Sequence, residues 1–127
     1  MIPLILVVDD KSHISQIMCR SLKNAGYDVD TARDGEEAMR KIDTAIPDVL
    51  IADMQMPDMD GQTLYECIER KYPARVGLAV LVSANTSKKL RTWARSRKNT
   101  KYMEKPVSQR RLVEHVNAHF ETLPLVG

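Results

Sequence analysis

Three aspartates, one serine and one lysine stand where apolar runs end. Asp9 and Asp10 follow the run Ile2-Pro3-Leu4-Ile5-Leu6-Val7-Val8. Asp53 closes Val49-Leu50-Ile51-Ala52, Ser83 closes Val76 to Val82, and Lys105-Pro106 follows Tyr102-Met103-Glu104. If these runs are parallel strands of one sheet, their carboxyl ends lie along one edge, where open α/β sheets bind ligands. Carboxylates gathered there repel one another. A hard divalent cation held through oxygens offsets that repulsion, and Mg2+ suits a site with few carboxylates and several waters. A lysine on the other side adds a positive charge, and a hydroxyl adds a donor. Such a cradle meets the two main demands of phosphoryl transfer, charge neutralisation and in-line positioning. Asp53, the central carboxylate, is the expected nucleophile, forming an aspartyl phosphate.

The elements that must position these residues alternate along the chain. Continuous apolar runs mark strands buried on both faces, at Ile2–Val8, Val49–Ala52 and Val76–Val82, with shorter strands at Tyr27–Ala32 and Tyr102–Glu104. Between them, apolar residues recur at helical spacing. Ile14, Ile17, Met18, Leu22 and Ala25 lie between Ser12, the expected N-cap, and Gly26. Ala38, Ile42 and Ala45 follow the capping-box-like pair Asp34 and Glu37. After a loop with Pro57 and Gly61, Leu64, Cys67, Ile68 and Lys71 precede the stop at Tyr72-Pro73. A basic helix is expected from about Ser87 to Arg97, and a last one, capped by Ser108, carries Leu112, Val113, Val116 and Phe120. The pattern is (βα) five times over. Short connections between parallel strands require right-handed crossover helices, giving a three-layer, doubly wound α/β domain.

Composition agrees with one globular domain. The chain has 127 residues, 43% hydrophobic and 28% charged, with a net charge of +2 that by itself implies no partner. Its apolar runs are too short to cross a bilayer, and Met1–Pro3 lacks the basic start of a signal peptide. Two cysteines form no disulfide framework, so a cytoplasmic setting is expected. One domain over residues 1–122 is expected, with 123–127 a tail or the start of a linker.

The four segments Val7-Val8-Asp9-Asp10-Lys11, Ala52-Asp53-Met54-Gln55-Met56-Pro57-Asp58-Met59-Asp60-Gly61, Ser83-Ala84 and Tyr102-Met103-Glu104-Lys105-Pro106 occur in this order. Together they make the chain resemble a response-regulator receiver domain of two-component signalling, over roughly residues 3 to 122. The resemblance implies a five-stranded parallel sheet of flavodoxin-like order 2-1-3-4-5. It implies that Asp53 accepts phosphate from a sensor histidine kinase or histidine phosphotransfer protein. Asp10, Asp53 and the Gln55 main-chain carbonyl would bind Mg2+, and Asp9 would hold a metal-bound water. Lys105 would pair with the acid and then with the phosphoryl oxygens, Ser83 would hydrogen-bond the phosphoryl group, and Tyr102 would move inward. The Lys105–Pro106 bond is expected to be cis. Gln55 and Asn85 would flank the path of the hydrolytic water, and with small Ala84 they imply self-dephosphorylation of intermediate rate. Two positions depart from the family pattern: no glycine precedes the last strand, and Val107 stands where Phe is common. Both fall on the output surface.

Other residues receive plainer readings. His115 and His119, four apart, read as a surface pair and His13 as a first-turn helix residue. Cys19 and Cys67 read as small core residues, and Met54, Met56 and Met59 as gap fillers around the loop after Asp53. The charge distribution is uneven. Residues 86–111 hold ten Lys/Arg against the single acid Glu104, a local +9, which leaves nine basic and sixteen acidic residues elsewhere. This segment is either a solvated face or a surface that steers an acidic output partner. Nucleic acid is disfavoured, because only Trp93 and Tyr102 interleave the basic residues. Two other functions compete with the phosphorylated switch. An enzyme of this fold class is opposed by the absence of a Gly-rich turn after Val8 and of a second acid two residues beyond Asp53. A docking domain that works without phosphorylation stays open.

Overall fold

The structure, a computed structural model, describes residues 2–84 and 87–121. The expected tail at 123–127 and the role given to Asn85 fall outside the described residues. The chain runs β1 (Leu4–Val8), α1 (Ser12–Asn24), β2 (Asp28–Ala32), α2 (Gly35–Thr44), β3 (Val49–Asp53), α3 (Gly61–Lys71), β4 (Leu78–Ser83), α4 (Lys88–Arg95), β5 (Thr100–Glu104) and α5 (Gln109–Glu121). All strand pairs are parallel, in the order β2-β1-β3-β4-β5. That is the expected flavodoxin-like α/β arrangement.

Period-two alternation in the strands sends neighbouring side chains to opposite faces. Leu6, Val8, Leu50, Ala52, Ala79 and Leu81 pack with Ala38 and Ile42 of α2, Leu64 and Ile68 of α3, and Leu90 of α4. Their neighbours Ile5, Val7, Val49, Ile51, Val80 and Val82 pack with Met18 and Leu22 of α1 and Leu112 and Val116 of α5. β3 and β4 are buried at every position, because strands lie on both sides and helices cover both faces. β2 is an edge strand and mostly exposed. Its Asp30, ion-paired with Lys41 at 3.1 Å, is the kind of charge that discourages edge-to-edge pairing.

Helix starts follow local capping chemistry. Asp34, Asp60 and Ser87 each accept a backbone N–H three residues on, at 2.8, 2.7 and 3.1 Å. Ser12 does not cap α1. Lys11 occupies that position, where its ammonium has no acceptor to offer the helix N–H groups; its own N–H donates to Asp9 Oδ1 at 2.8 Å, and the helix starts one residue early. Gly26 closes α1 at φ +101°, a conformation that favours glycine. β4 begins at Leu78 rather than Val76, and α4 stops at Arg95, where Ser96 Oγ donates to the Trp93 carbonyl at 2.6 Å. β5 begins at Thr100, whose buried hydroxyl donates to the Ala94 carbonyl at 2.9 Å.

Two glycines show how tightly the segments around Asp53 fit. A Cβ on Gly61, at the start of α3, would lie 2.8 Å from the Asp53 carbonyl oxygen and 3.3 Å from that of Ala52. A Cβ on Gly35 would meet the sulfur of Met59 at 2.6 Å. Gly61→Ala should therefore cost about 1–3 kcal/mol by overpacking against backbone that has little room to yield. Gly35→Ala should cost less, since the Met59 side chain is flexible. Urea denaturation of the two variants checks the order.

The histidine pair of α5 is half-buried rather than a surface pair. A Cβ on Gly77 would sit 2.9 Å from His119 Nε2, and the His119 ring stacks edge-on against Phe120 at 4.9 Å. Burial pushes both imidazoles below their ordinary value of 6.5, with Lys101 and Arg111 adding to the effect at His115 and Asp48 opposing it at His119. The unfolded chain therefore binds these protons first. Their stabilising contribution is complete above pH 6.5 and is lost as pH falls through the lowered native values. Denaturation midpoints at about pH 7.5 and about pH 5.5 should fall for the natural chain and fall less for a His115→Gln, His119→Gln variant.

Candidate functional site

The carboxyl ends of β1, β3, β4 and β5 bring the expected residues to one edge. Asp53 is the last residue of β3 and only 2% exposed. Its Oδ2 accepts from Lys105 Nζ at 2.8 Å and its Oδ1 from the Gln55 N–H at 3.0 Å. Lys105 reaches it from just past β5, beside the cis Lys105–Pro106 bond, and donates its own N–H to the Ser83 carbonyl at 2.9 Å. The ends of β4 and β5 are thus tied at the level of the ion pair.

Asp9 is also buried, whereas Asp10 is exposed. Oxygens of Asp9, Asp10 and Asp53 all lie within 4.8 Å of one another. Burial raises the Asp9 pKa above its ordinary value. The Lys11 N–H and the Lys105 charge oppose this, while Asp53 and Asp10 reinforce it. Three carboxylates with one ammonium leave an excess of negative charge, and the donors are all hard oxygens. That set fits a divalent cation such as Mg2+. Among the described residues this is the one group of three or more acidic, His or Cys side chains placed to hold a metal ion.

Ser83 ends β4 and is buried beside this cluster. Its Oγ accepts from Gln55 Nε2 at 2.9 Å, while the Ala84 N–H donates to Gln55 Oε1 at 3.1 Å. The expectations for residue 55 concerned its main-chain carbonyl and a flanking side chain. The bridge to β4 was not foreseen, since it depends on a strand end 28 residues away. The close fit of Gly61 under Asp53 was likewise missed, although a glycine in the first position of a helix is a local hint. Tyr102 sits on β5 opposite Leu81 and is half-buried. It lines grooves beside α5 together with Arg111 and His115.

The remaining residues fall largely as read. Cys19 is buried, Cys67 half-buried, and both are free thiols. Met54, Met56 and Met59 pack on the core under α2, α3 and α4. His13 lies in the first turn of α1. Of the basic residues, Lys88, Lys89, Arg95, Lys98, Lys101, Arg110 and Arg111 are exposed, while Arg97 stacks 4.6 Å from the centre of the Trp93 ring. None of the described helices is long and apolar enough to cross a membrane.

Comparison with known proteins points the same way. A stretch of 57 residues, 45% of this chain, is 47% identical to the alkaline phosphatase synthesis transcriptional regulatory protein PhoP of Bacillus subtilis. That match spans 24% of the length of PhoP. The fold matches the chemotaxis protein CheY4 of Vibrio cholerae with a TM-score of 0.84 at 28% identity, over 93% of this chain and 98% of that one. A CheY-like response regulator receiver domain protein from Methanospirillum hungatei gives a TM-score of 0.85 at 26% identity, over 95% of each chain. The sequence profile of the response regulator receiver domain matches residues 5–117. The chain therefore belongs to the response regulator receiver domain family, the regulatory domains of two-component signalling.

Proposed function

We propose that this domain is a phosphoaccepting switch in which Asp53 receives a phosphoryl group from the histidine of a sensor kinase or phosphotransfer protein. The observation that carries this reading is the setting of Asp53: a buried carboxylate held by Lys105 at 2.8 Å and grouped with Asp9 and Asp10 within 4.8 Å. An Asp53 carboxylate oxygen attacks phosphorus, the donor's N–P bond breaks, and the histidine departs with that electron pair and takes up a proton. Asp10, Asp53 and the Gln55 main-chain carbonyl would hold Mg2+, with Asp9 acting through a water. The ion would supply the positive charge that lets an anionic donor approach. Lys105, already on Asp53, is placed to follow the negative charge onto the phosphoryl oxygens, and the Ser83 hydroxyl supplies a further hydrogen bond. Ala84 is small and exposed, which leaves the approach open to donor and to water and supports self-dephosphorylation of intermediate rate.

The output surface in this reading is α4, β5 and α5, where Tyr102 and the exposed basic residues lie. Rearrangement of Ser83 and Tyr102 biases a two-state equilibrium, and the basic face meets an acidic partner or output domain. The setting proposed is the cytoplasm, where such kinases present their phosphohistidine.

Acetyl phosphate should label the protein at Asp53 in Mg2+, seen as added mass on intact-protein spectra. Labelling should fall at least about tenfold in EDTA and vanish in Asp53→Asn. Equal labelling in EDTA, or full labelling of Asp53→Asn, contradicts the reading. Stopped-flow association of the phosphorylated domain with its output partner should slow about tenfold or more as salt rises from about 0.02 to about 0.3 M, since exposed charges are screened beyond roughly 8 Å at physiological ionic strength. A combined Lys88→Glu, Lys89→Glu, Arg91→Glu variant should slow it similarly at low salt. A rate that ignores both makes the basic face ordinary solvated surface. Partner binding that survives unchanged in Asp53→Ala favours docking without phosphorylation.

A further inference from the structure

A carboxamide carries an acceptor and a double donor fixed in one plane, so it can join two groups whose spacing matches. The Gln55 side chain is exposed, yet both of its ends are engaged on the end of β4: Nε2 donates to Ser83 Oγ at 2.9 Å and Oε1 accepts from the Ala84 N–H at 3.1 Å. The backbone of the same residue is held by the nucleophile, through its N–H to Asp53 Oδ1 at 3.0 Å. The preceding Met54 N–H donates to the Val82 carbonyl at 2.8 Å, so the loop lies directly against β4. Asp53 pairs in register with Val82, so Ser83, the last residue of β4, and Ala84, just past it, are the next residues along the chain.

A phosphoryl group on Asp53 would present three acceptor oxygens to this strand end. The Ala84 N–H has one proton and serves one good acceptor at a time. We propose that the Gln55 side chain is a resting-state clasp: it occupies the Ala84 N–H and holds Ser83 in place, so that filling the Asp53 site requires the clasp to open. Gln55 is then a positioning residue that sets how strongly the resting form is favoured. This inference rests on the phosphoacceptor reading of Asp53. Two partly exposed hydrogen bonds, one of them surrendered on switching, correspond to a bias of about fivefold, or about 1 kcal/mol.

The test is a titration with beryllofluoride, a phosphoryl mimic, in saturating Mg2+, followed by nitrogen-edited NMR of the full chain, of Gln55→Met and of Gln55→Ala. Methionine keeps the bulk and removes both hydrogen bonds. Both variants should bind beryllofluoride about fivefold more tightly, and in each the Ala84 amide should exchange faster before ligand is added. In the natural chain, the Gln55 side-chain NH2 and the Ala84 amide should shift on saturation. Equal or weaker binding in both variants overturns the clasp. So does a Gln55 NH2 pair unmoved by saturating beryllofluoride, a result that stands even if neither variant folds. Failure of the natural chain to bind beryllofluoride overturns the phosphoacceptor reading, and the clasp with it.

Discussion

Asp53 is as deeply buried as the aliphatic residues before it on β3, and the Lys105 ammonium 2.8 Å from its Oδ2 makes that placement tolerable. An unpaired carboxylate in such a position would cost several kcal/mol of lost hydration. Lys105 arrives from the far edge of the sheet. The ion pair therefore requires that β4 lie between β3 and β5 and that the chain turn sharply after Glu104. The same residue's N–H on the Ser83 carbonyl holds that turn in place. The position of the lysine thus depends on the sheet order, and the charge balance of the site depends on the lysine.

One ammonium does not balance three acids. Asp9 registers the remainder, with its pKa raised by burial and by Asp53 and Asp10 despite the Lys11 N–H and the Lys105 charge. A site left short of positive charge in this way suits a divalent cation, and the proposed phosphoryl transfer needs that charge before an anionic donor can approach. The central strands β3 and β4 beneath are buried at every position and give the loops above them a firm base. These loops are where Gln55 joins the β3 and β4 ends and where Met54, Met56 and Met59 provide adaptable packing.

Much of this was legible in the residues. Continuous apolar runs ending in Asp9-Asp10, Asp53 and Ser83 can scarcely be anything but central parallel strands, and parallel strands bring their ends together. The edge elements were harder. β5 is buried only at Thr100 and Met103, so no period-two pattern marks its start, which is fixed by the Thr100 hydroxyl donating to the Ala94 carbonyl. Ser12 is a good cap by type, but the true start of α1 was set by Asp9, whose carboxylate takes the Lys11 N–H. The burial of His119 against Gly77 and the bridge from Gln55 to Ser83 depend on segments distant in sequence. No local pattern announces such contacts.

The central claim is that the Asp9, Asp10 and Asp53 edge carries negative charge that Lys105 only partly offsets. The most direct measurement is the thermal unfolding midpoint against Mg2+ concentration, for the natural chain and for Lys105→Met. Because a ligand that binds the folded state stabilises it in proportion to the logarithm of its concentration above Kd, the midpoint should stay level at low Mg2+ and then climb steadily with the logarithm of its concentration. The rise should be larger in Lys105→Met, where one more negative charge is left for the cation. A midpoint indifferent to Mg2+, or a smaller rise in Lys105→Met, would contradict this account.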